Sequence, residues 1–169
     1  MKKIIPIIFI LIIAYLGIYA YSLSKVEIKS VEFDEITKVN SSGFTLDGYA
    51  ELYNGGIMPV KIDHIEYQIV LESTEEVLSK GVIEGQTVKP KESIKFDALA
   101  DISWIPAKDA ALELIRPGET NATVSGDAYV SVLGFIETRV PFEETVDLEP
   151  FLKEAIEKKM DEMIKDIFN

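Results

Sequence analysis

Ile4 through Leu23 is a run of twenty residues without one charged side chain, entered directly from Lys2 and Lys3. As a helix, rising ~1.5 Å per residue, such a run reaches across the ~30 Å hydrocarbon core of a bilayer. A buried helix of a soluble domain would carry a polar stripe, and this run has none. Pro6 falls in the first turn, where a missing N–H costs little. Tyr15, Tyr19 and Tyr21 favour a membrane–water interface and set the outer boundary near Ser22 to Lys25. The basic flank predicts a cytoplasmic N-terminus, a single-pass anchor in the cell membrane, and an extracytoplasmic C-terminal domain. The alternative is a cleaved secretory signal with Ala20 and Ser22 as its small residues, although signal cores usually span ~7–15 residues. Either reading puts the rest of the chain outside the cytoplasm.

Behind this segment the period of the sequence changes to two. Val26, Ile28, Val31 and Phe33 make a first strand. Asn40-Ser41-Ser42-Gly43 is turn chemistry, and Phe44, Leu46, Gly48, Ala50 and Leu52 then alternate on one face. Asn54-Gly55-Gly56 breaks the pattern and Met58-Pro59-Val60 restarts it. Val60 and Ile62, then Ile65, Tyr67, Ile69 and Leu71, change phase between Ile62 and Ile65, which predicts a bulge at Asp63-His64. Val77 to Val88 reads as a strand interrupted by Gly81 and Gly85, Lys89-Pro90-Lys91 as a turn, and Ile94, Phe96, Ala98 and Ala100 as the next strand. Pro106 and Pro117-Gly118 bracket an Ala- and Leu-rich stretch and predict a short inserted helix over 107–115. Strands follow over 122–132 and 136–148. Short strands with turns every ten or so residues indicate an all-β chain folded as an antiparallel β-sandwich. From Glu149 the period becomes helical, with Leu152, Ile156, Met160, Met163, Ile164 and Ile167 on one stripe. The expected organisation is an anchor over 1–24, a sandwich over 25–148 and an amphipathic helix over 149–169.

Charge and residue inventory exclude several functions. All 29 acidic residues lie beyond Ser24, so the outer part is strongly negative and repels phosphate backbones; nucleic acid is not an expected partner. The same sign predicts no electrostatic grip on anionic headgroups beyond the anchor. With no cysteine, disulfides, thiolate chemistry and cysteine-ligated metals are absent. His64 is the only histidine, which rules out a multi-histidine metal site, and no Gly-x-Ser-x-Gly elbow accompanies it. The carboxylate pairs Glu75/Glu76, Asp97/Asp101 and Glu143/Glu144 lack a calcium-loop pattern and read as solvated charge. The glycines never form a phosphate-cradling loop before a helix. No cofactor, no metal and no enzymatic activity are expected. Asn40-Ser41-Ser42 and Asn121-Ala122-Thr123 match the glycosylation acceptor, making Asn40 and Asn121 modification candidates outside the cytoplasm.

Taken together, Leu52-Tyr53-Asn54-Gly55-Gly56-Ile57-Met58-Pro59-Val60-Lys61-Ile62, the Val88-Lys89-Pro90-Lys91-Glu92-Ser93 turn, Val124-Ser125-Gly126-Asp127-Ala128 and Val140-Pro141-Phe142 carry a resemblance. The stretch from Phe44 to Leu148 resembles the globular group 2 late-embryogenesis-abundant (LEA type 2) proteins, the water-stress and hypersensitive-response (WHy) domain. Gly55-Gly56 stands where that family has Pro-Asn. The resemblance implies a seven-stranded, fibronectin-III-like sandwich with a helix, no catalysis, and a link to desiccation and stress tolerance through contacts with client proteins or membrane. A second expectation is an adaptor binding one dedicated protein partner. The binding candidates are the loop Asn54, Gly55, Gly56, Met58, Pro59, which turn chemistry alone also accounts for, and the helix face Leu152, Ile156, Met160, Met163, Ile167.

Overall fold

The computed structural model describes the backbone of residues 4–168 apart from 104–119 and 133–135; side chains are described from residue 10, except within 104–119, 132–137, 162–163 and 165–168. A helix α1 (Ile4–Leu23) leads into eight strands: β1 (Val26–Val39), β2 (Gly43–Asn54), β3 (Val60–Leu71), β4 (Val77–Glu84), β5 (Thr87–Val88), β6 (Ser93–Ser103), β7 (Asn121–Val132) and β8 (Ile136–Asp147). A second helix, α2 (Glu149–Phe168), closes the chain. The inserted helix expected over 107–115 lies outside the described residues.

All pairing is antiparallel. One sheet has the order β1-β2-β6 and the other β4-β3-β7-β8, with β5 added beside β3. The described strands number eight and not seven, because Gly85 cuts the 77–88 stretch in two. Its amide donates to the Asp63 carbonyl at 3.1 Å, and a side chain there would meet the backbone of Ile62 and Asp63. Gly81 does not break β4. The first strand also runs on past Phe33 to Val39, carrying register shifts at Ile28/Ser30, Phe33/Glu35 and Ile36/Lys38 that scramble its alternation. The expected bulge in β3 is present, between Ile62 and His64.

The inward faces form two apolar clusters. Leu52, Val60, Ile62, Ile65, Val88, Phe96 and Val130 pack at the α1 end; Phe44, Leu46, Ile69, Leu71, Ile102, Leu148 and Leu152 pack at the α2 end. Tyr67 and Phe142 touch both. Each of these rings lies over a glycine: Gly81 and Gly126 face Tyr67 in register, and Gly126 faces Phe142. A Cβ on Gly81 would sit 2.5 Å from the Tyr67 ring, and one on Gly126 2.9 Å from Phe142. Gly48 gives Phe33 the same room in the other sheet. Glycine opposite an aromatic ring thus fills the middle of the sandwich without crowding. The Tyr67 hydroxyl donates across to the Leu99 carbonyl on β6 at 3.0 Å, tying the sheets together where their free edges face each other. Burial pushes the Tyr67 phenol above its usual value.

At the far end Asp147 accepts the Glu149 amide at 2.8 Å and caps α2. Leu148, Leu152 and Ala155 are buried, and Phe151 meets Phe33 edge to face at 6.0 Å. Among the described residues no helix is long and apolar enough to cross a membrane; the described side chains of α1 begin at Ile10 and cover only ~20 Å of axis, while its helical backbone starts at Ile4.

Gly126→Ala places a methyl 2.0 Å from the Glu66 carbonyl oxygen as well as against Phe142, and overpacking of this kind costs about 1–3 kcal/mol. A urea titration of the two proteins followed by circular dichroism will show the loss as a lower midpoint. An unchanged midpoint would refute the glycine–aromatic account of the sandwich centre.

Candidate functional site

The loop between β2 and β3, chosen from sequence as a binding candidate, folds around the foot of α1. Asn54 is 0% exposed and organises it. Its Nδ2 donates to the carbonyls of Met58 at 2.8 Å and Val88 at 3.0 Å, and its Oδ1 accepts the Gly56 amide at 2.9 Å. Its backbone donates to the Glu92 carbonyl at 3.0 Å and accepts the Lys91 amide at 2.7 Å. One residue therefore joins the β2–β3 loop, the end of β5 and the β5–β6 turn. That turn carries Lys91 at a φ of 62°, and the Lys91 ammonium donates to the Gly55 carbonyl.

Into this frame α1 sets its last turn. Ser22, also 0% exposed, accepts the amides of Ile57 and Met58 on its Oγ, both at 3.2 Å. Gly56 lets the helix come this close, since a Cβ there would lie 2.6 Å from Ser22. The Gly55 amide donates to the Lys25 carbonyl at 2.9 Å. On the other side the Tyr19 hydroxyl donates to the Ser131 carbonyl of β7 at 2.8 Å. The result is a socket. Pro59 lacks an N–H and leads into β3.

The remaining candidates are spread over the molecule. Leu152 is buried in the core and Ile156 half-buried, whereas Met160 is 56% exposed; the side chains of Met163 and Ile167 lie outside the described residues. The stripe is thus covered for its first half, where Lys158 also donates to the Ile36 carbonyl at 2.9 Å, and Ile164 is 50% exposed further on. Asn40 lies in the exposed β1–β2 turn, its Oδ1 accepting from the amides of Ser42 and Gly43. Asn121 opens β7 opposite Asp147 and is half-buried.

The chemistry-bearing residues do not converge. His64 stacks on Tyr129 at 4.3 Å on the outer face of the larger sheet, with Glu66 3.7 Å away. Asp101 accepts the Thr45 hydroxyl at 2.6 Å. Asp63, next to His64 in the chain, is held below the usual carboxylate range by hydrogen bonds from Lys61 and Ser131. Among the described residues no cluster of three metal-ligating side chains occurs. An open groove of about 750 Å³ separates the edge strands β4 and β6, with Tyr67, Val82, Asp97 and Leu99 among its walls.

Solved structures share this architecture. A protein from Archaeoglobus fulgidus matches with a TM-score of 0.53 at 18% identity, over 71% of this chain and 94% of that one. A protein of Arabidopsis thaliana matches with a TM-score of 0.50 at 15% identity, over 72% and 78%. A protein provisionally assigned as late-embryogenesis-abundant aligns over 89% of this chain and 90% of its own with a TM-score of 0.44 at 16% identity. No family model and no curated protein matches the sequence. At these identities the likeness is one of fold alone, an antiparallel β-sandwich.

Asn54→Ala leaves the carbonyls of Met58 and Val88 without their donor, at about 1–3 kcal/mol for each group left unpaired. Gly56→Val displaces Ser22, so limited proteolysis will cut between α1 and β1 faster than in the parent chain. Equal cleavage rates would show that the socket does not hold the helix.

Proposed function

We propose that this chain is a single-pass membrane protein whose sandwich stands outside the cytoplasm as a non-catalytic, LEA type 2/WHy-like domain protecting envelope proteins or membrane under stress. The observation that carries the membrane part is the exposure of α1. The large apolar side chains of this helix from Ile10 to Ile18, and Tyr21, are exposed, and of its described side chains only Tyr19, Ser22 and, in part, Leu23 are covered. An apolar cylinder of that kind needs a cover, and a lipid bilayer supplies one on all sides. Lys2 and Lys3 favour the orientation with the sandwich outside. Ser22 and Tyr19, buried in the socket, argue for a retained helix over a cleaved signal, because cleavage near Ala20 or Ser22 would strip Tyr19 and empty the frame that Asn54 builds.

The protective part is supported by the fold likeness and by the acidic surface, which stays hydrated and soluble while neighbouring proteins collapse. A second reading, an adaptor for one protein partner, draws on the facing free edges of β4 and β6 with Val77, Val82 and Leu99 exposed between them. An extended peptide can add to such an edge through main-chain hydrogen bonds.

Two measurements separate these readings. Alkaline extraction of membranes will leave the full-length chain in the pellet, with an intact mass that includes α1; release into the supernatant, or a mass lacking residues before Ser22, would refute the anchor. The chain in lipid nanodiscs will preserve the activity of two unrelated enzymes through drying better than nanodiscs carrying an unrelated acidic membrane protein. Protection equal to that control, together with one partner recovered reproducibly by cross-linking, would replace protection by the adaptor reading.

A further inference from the structure

The acidic chain, with its net charge of −12, gathers lysines at the mouth of the socket. Lys25 lies in the two-residue link between α1 and β1, and its Nζ stands 5.6 Å over the Tyr21 ring. Lys91 reaches Gly55 from the β5–β6 turn. Lys89 extends from the same turn with 72% of its side chain exposed, 3.9 Å from Glu92. In the same β2–β3 loop as Gly55, which both Lys25 and Lys91 bond, Ile57 is 57% exposed, its amide bound to Ser22 of α1. The nearby Glu27 is engaged by Lys29. At the opposite end the β3–β4 turn holds Glu72, Glu75 and Glu76, Glu72 bonded by Thr123 and Thr145, and the α2 lysines there pair within their own helix, Lys153 with Glu149 and Lys158 with Glu154.

We propose that Ile57 with Lys25, Lys89 and Lys91 forms a lipid-contacting rim that seats the sandwich on anionic phospholipid headgroups around the emerging helix. This rests on the membrane reading above. The occupant follows from continuity and charge. Ile57 is hydrogen-bonded to the last turn of α1, so a bilayer that covers α1 as far as Tyr21 has its headgroup layer at the depth of Ile57. An apolar tip flanked by ammonium groups is the composition of an interfacial contact, with the side chain in the acyl boundary and lysines on phosphate. Net charge alone predicts that headgroups repel the domain; the rim would be a local exception, because these lysines gather where α1 meets the sandwich.

A chain without cysteine accepts one reporter at a time. Ile10→Cys, Ile57→Cys and Thr74→Cys each carry a nitroxide in the full-length protein, reconstituted in nanodiscs of phosphatidylcholine with phosphatidylglycerol, and collisions with oxygen and with a water-soluble nickel chelate are compared. The expected result is an oxygen-dominated label at position 10, a freely nickel-accessible label at 74, and a several-fold loss of nickel access at 57 relative to 74. That loss shrinks in pure phosphatidylcholine and in a chain that also carries Lys25→Gln and Lys89→Gln. Equal nickel access at 57 and 74 with position 10 still protected overturns the rim and leaves the anchor standing. Nickel access at position 10 overturns both. A loss at 57 indifferent to phosphatidylglycerol and to the lysine changes overturns recognition of anionic headgroups.

Discussion

The carboxamide of Asn54 is the interaction on which the α1 end of the molecule depends. Loops β2–β3 and β5–β6 bring backbone carbonyls and amides together at a place sealed from water by α1, and a buried peptide group without a partner costs about as much as a lost hydrogen bond. Asn54 supplies two donors and one acceptor in a single side chain, and its own backbone is bonded on both sides. Aspartate has the same shape and lacks the donors, whereas glutamine places them one methylene away. The frame then presents the free amides of Ile57 and Met58 to Ser22, so the seat for the helix is a by-product of how the loop satisfies itself.

The sandwich was legible where one face is buried and the ladder regular. Phe44, Leu46, Ala50 and Leu52 alternate in sequence and are all buried in β2, and the phase change at Asp63-His64 marks a true bulge. Legibility failed where geometry departs from period two. Three register shifts let β1 continue through Asp34 and Glu35, which read as the end of a strand. Gly81 looked like an interruption and is a place for the Tyr67 ring; whether a glycine breaks a strand or receives an aromatic is decided by the partner strand, which the local sequence does not contain. Gly85, of identical local appearance, does break the strand.

The candidate site shows the same limit. Asn54-Gly55-Gly56 announces a turn, and composition says nothing about the serine 35 positions earlier that reaches the amide of Ile57. The periodicity of the α2 stripe does not reveal that the sandwich covers it only as far as Ala155 and Ile156, leaving Met160 in the open. Net charge is a sum over the chain and carries no information on position. Lys25 and Lys91, far apart in sequence, meet at Gly55, whose amide donates to the Lys25 carbonyl and whose carbonyl accepts from the Lys91 ammonium.

The socket bears on how such a domain could work. A sandwich joined to a membrane helix by a flexible linker samples many orientations and can meet partners anywhere within its reach. In this chain the connection between Leu23 and Val26 is two residues long, and Ser24 and Lys25 within it donate to the Ala20 and Ser22 carbonyls, extending the helical pattern to the edge of β1. Tyr19 and Ser22 are bonded to two different parts of the sandwich, which ties the helix to the β-domain at two points. On the proposal that α1 spans a bilayer, these ties restrict rotation of the sandwich over the membrane and favour one set of faces pointing along and away from its plane. For a protectant, this keeps an acidic, hydrated surface at a constant height over the bilayer, separating neighbours by charge and water without the need to bind them. For an adaptor it removes part of the orientational entropy that association otherwise costs. The rigid foot favours neither reading over the other, but it does require that whatever the sandwich contacts approach it from the side or from above, since the end that holds Asn54 is already filled by α1.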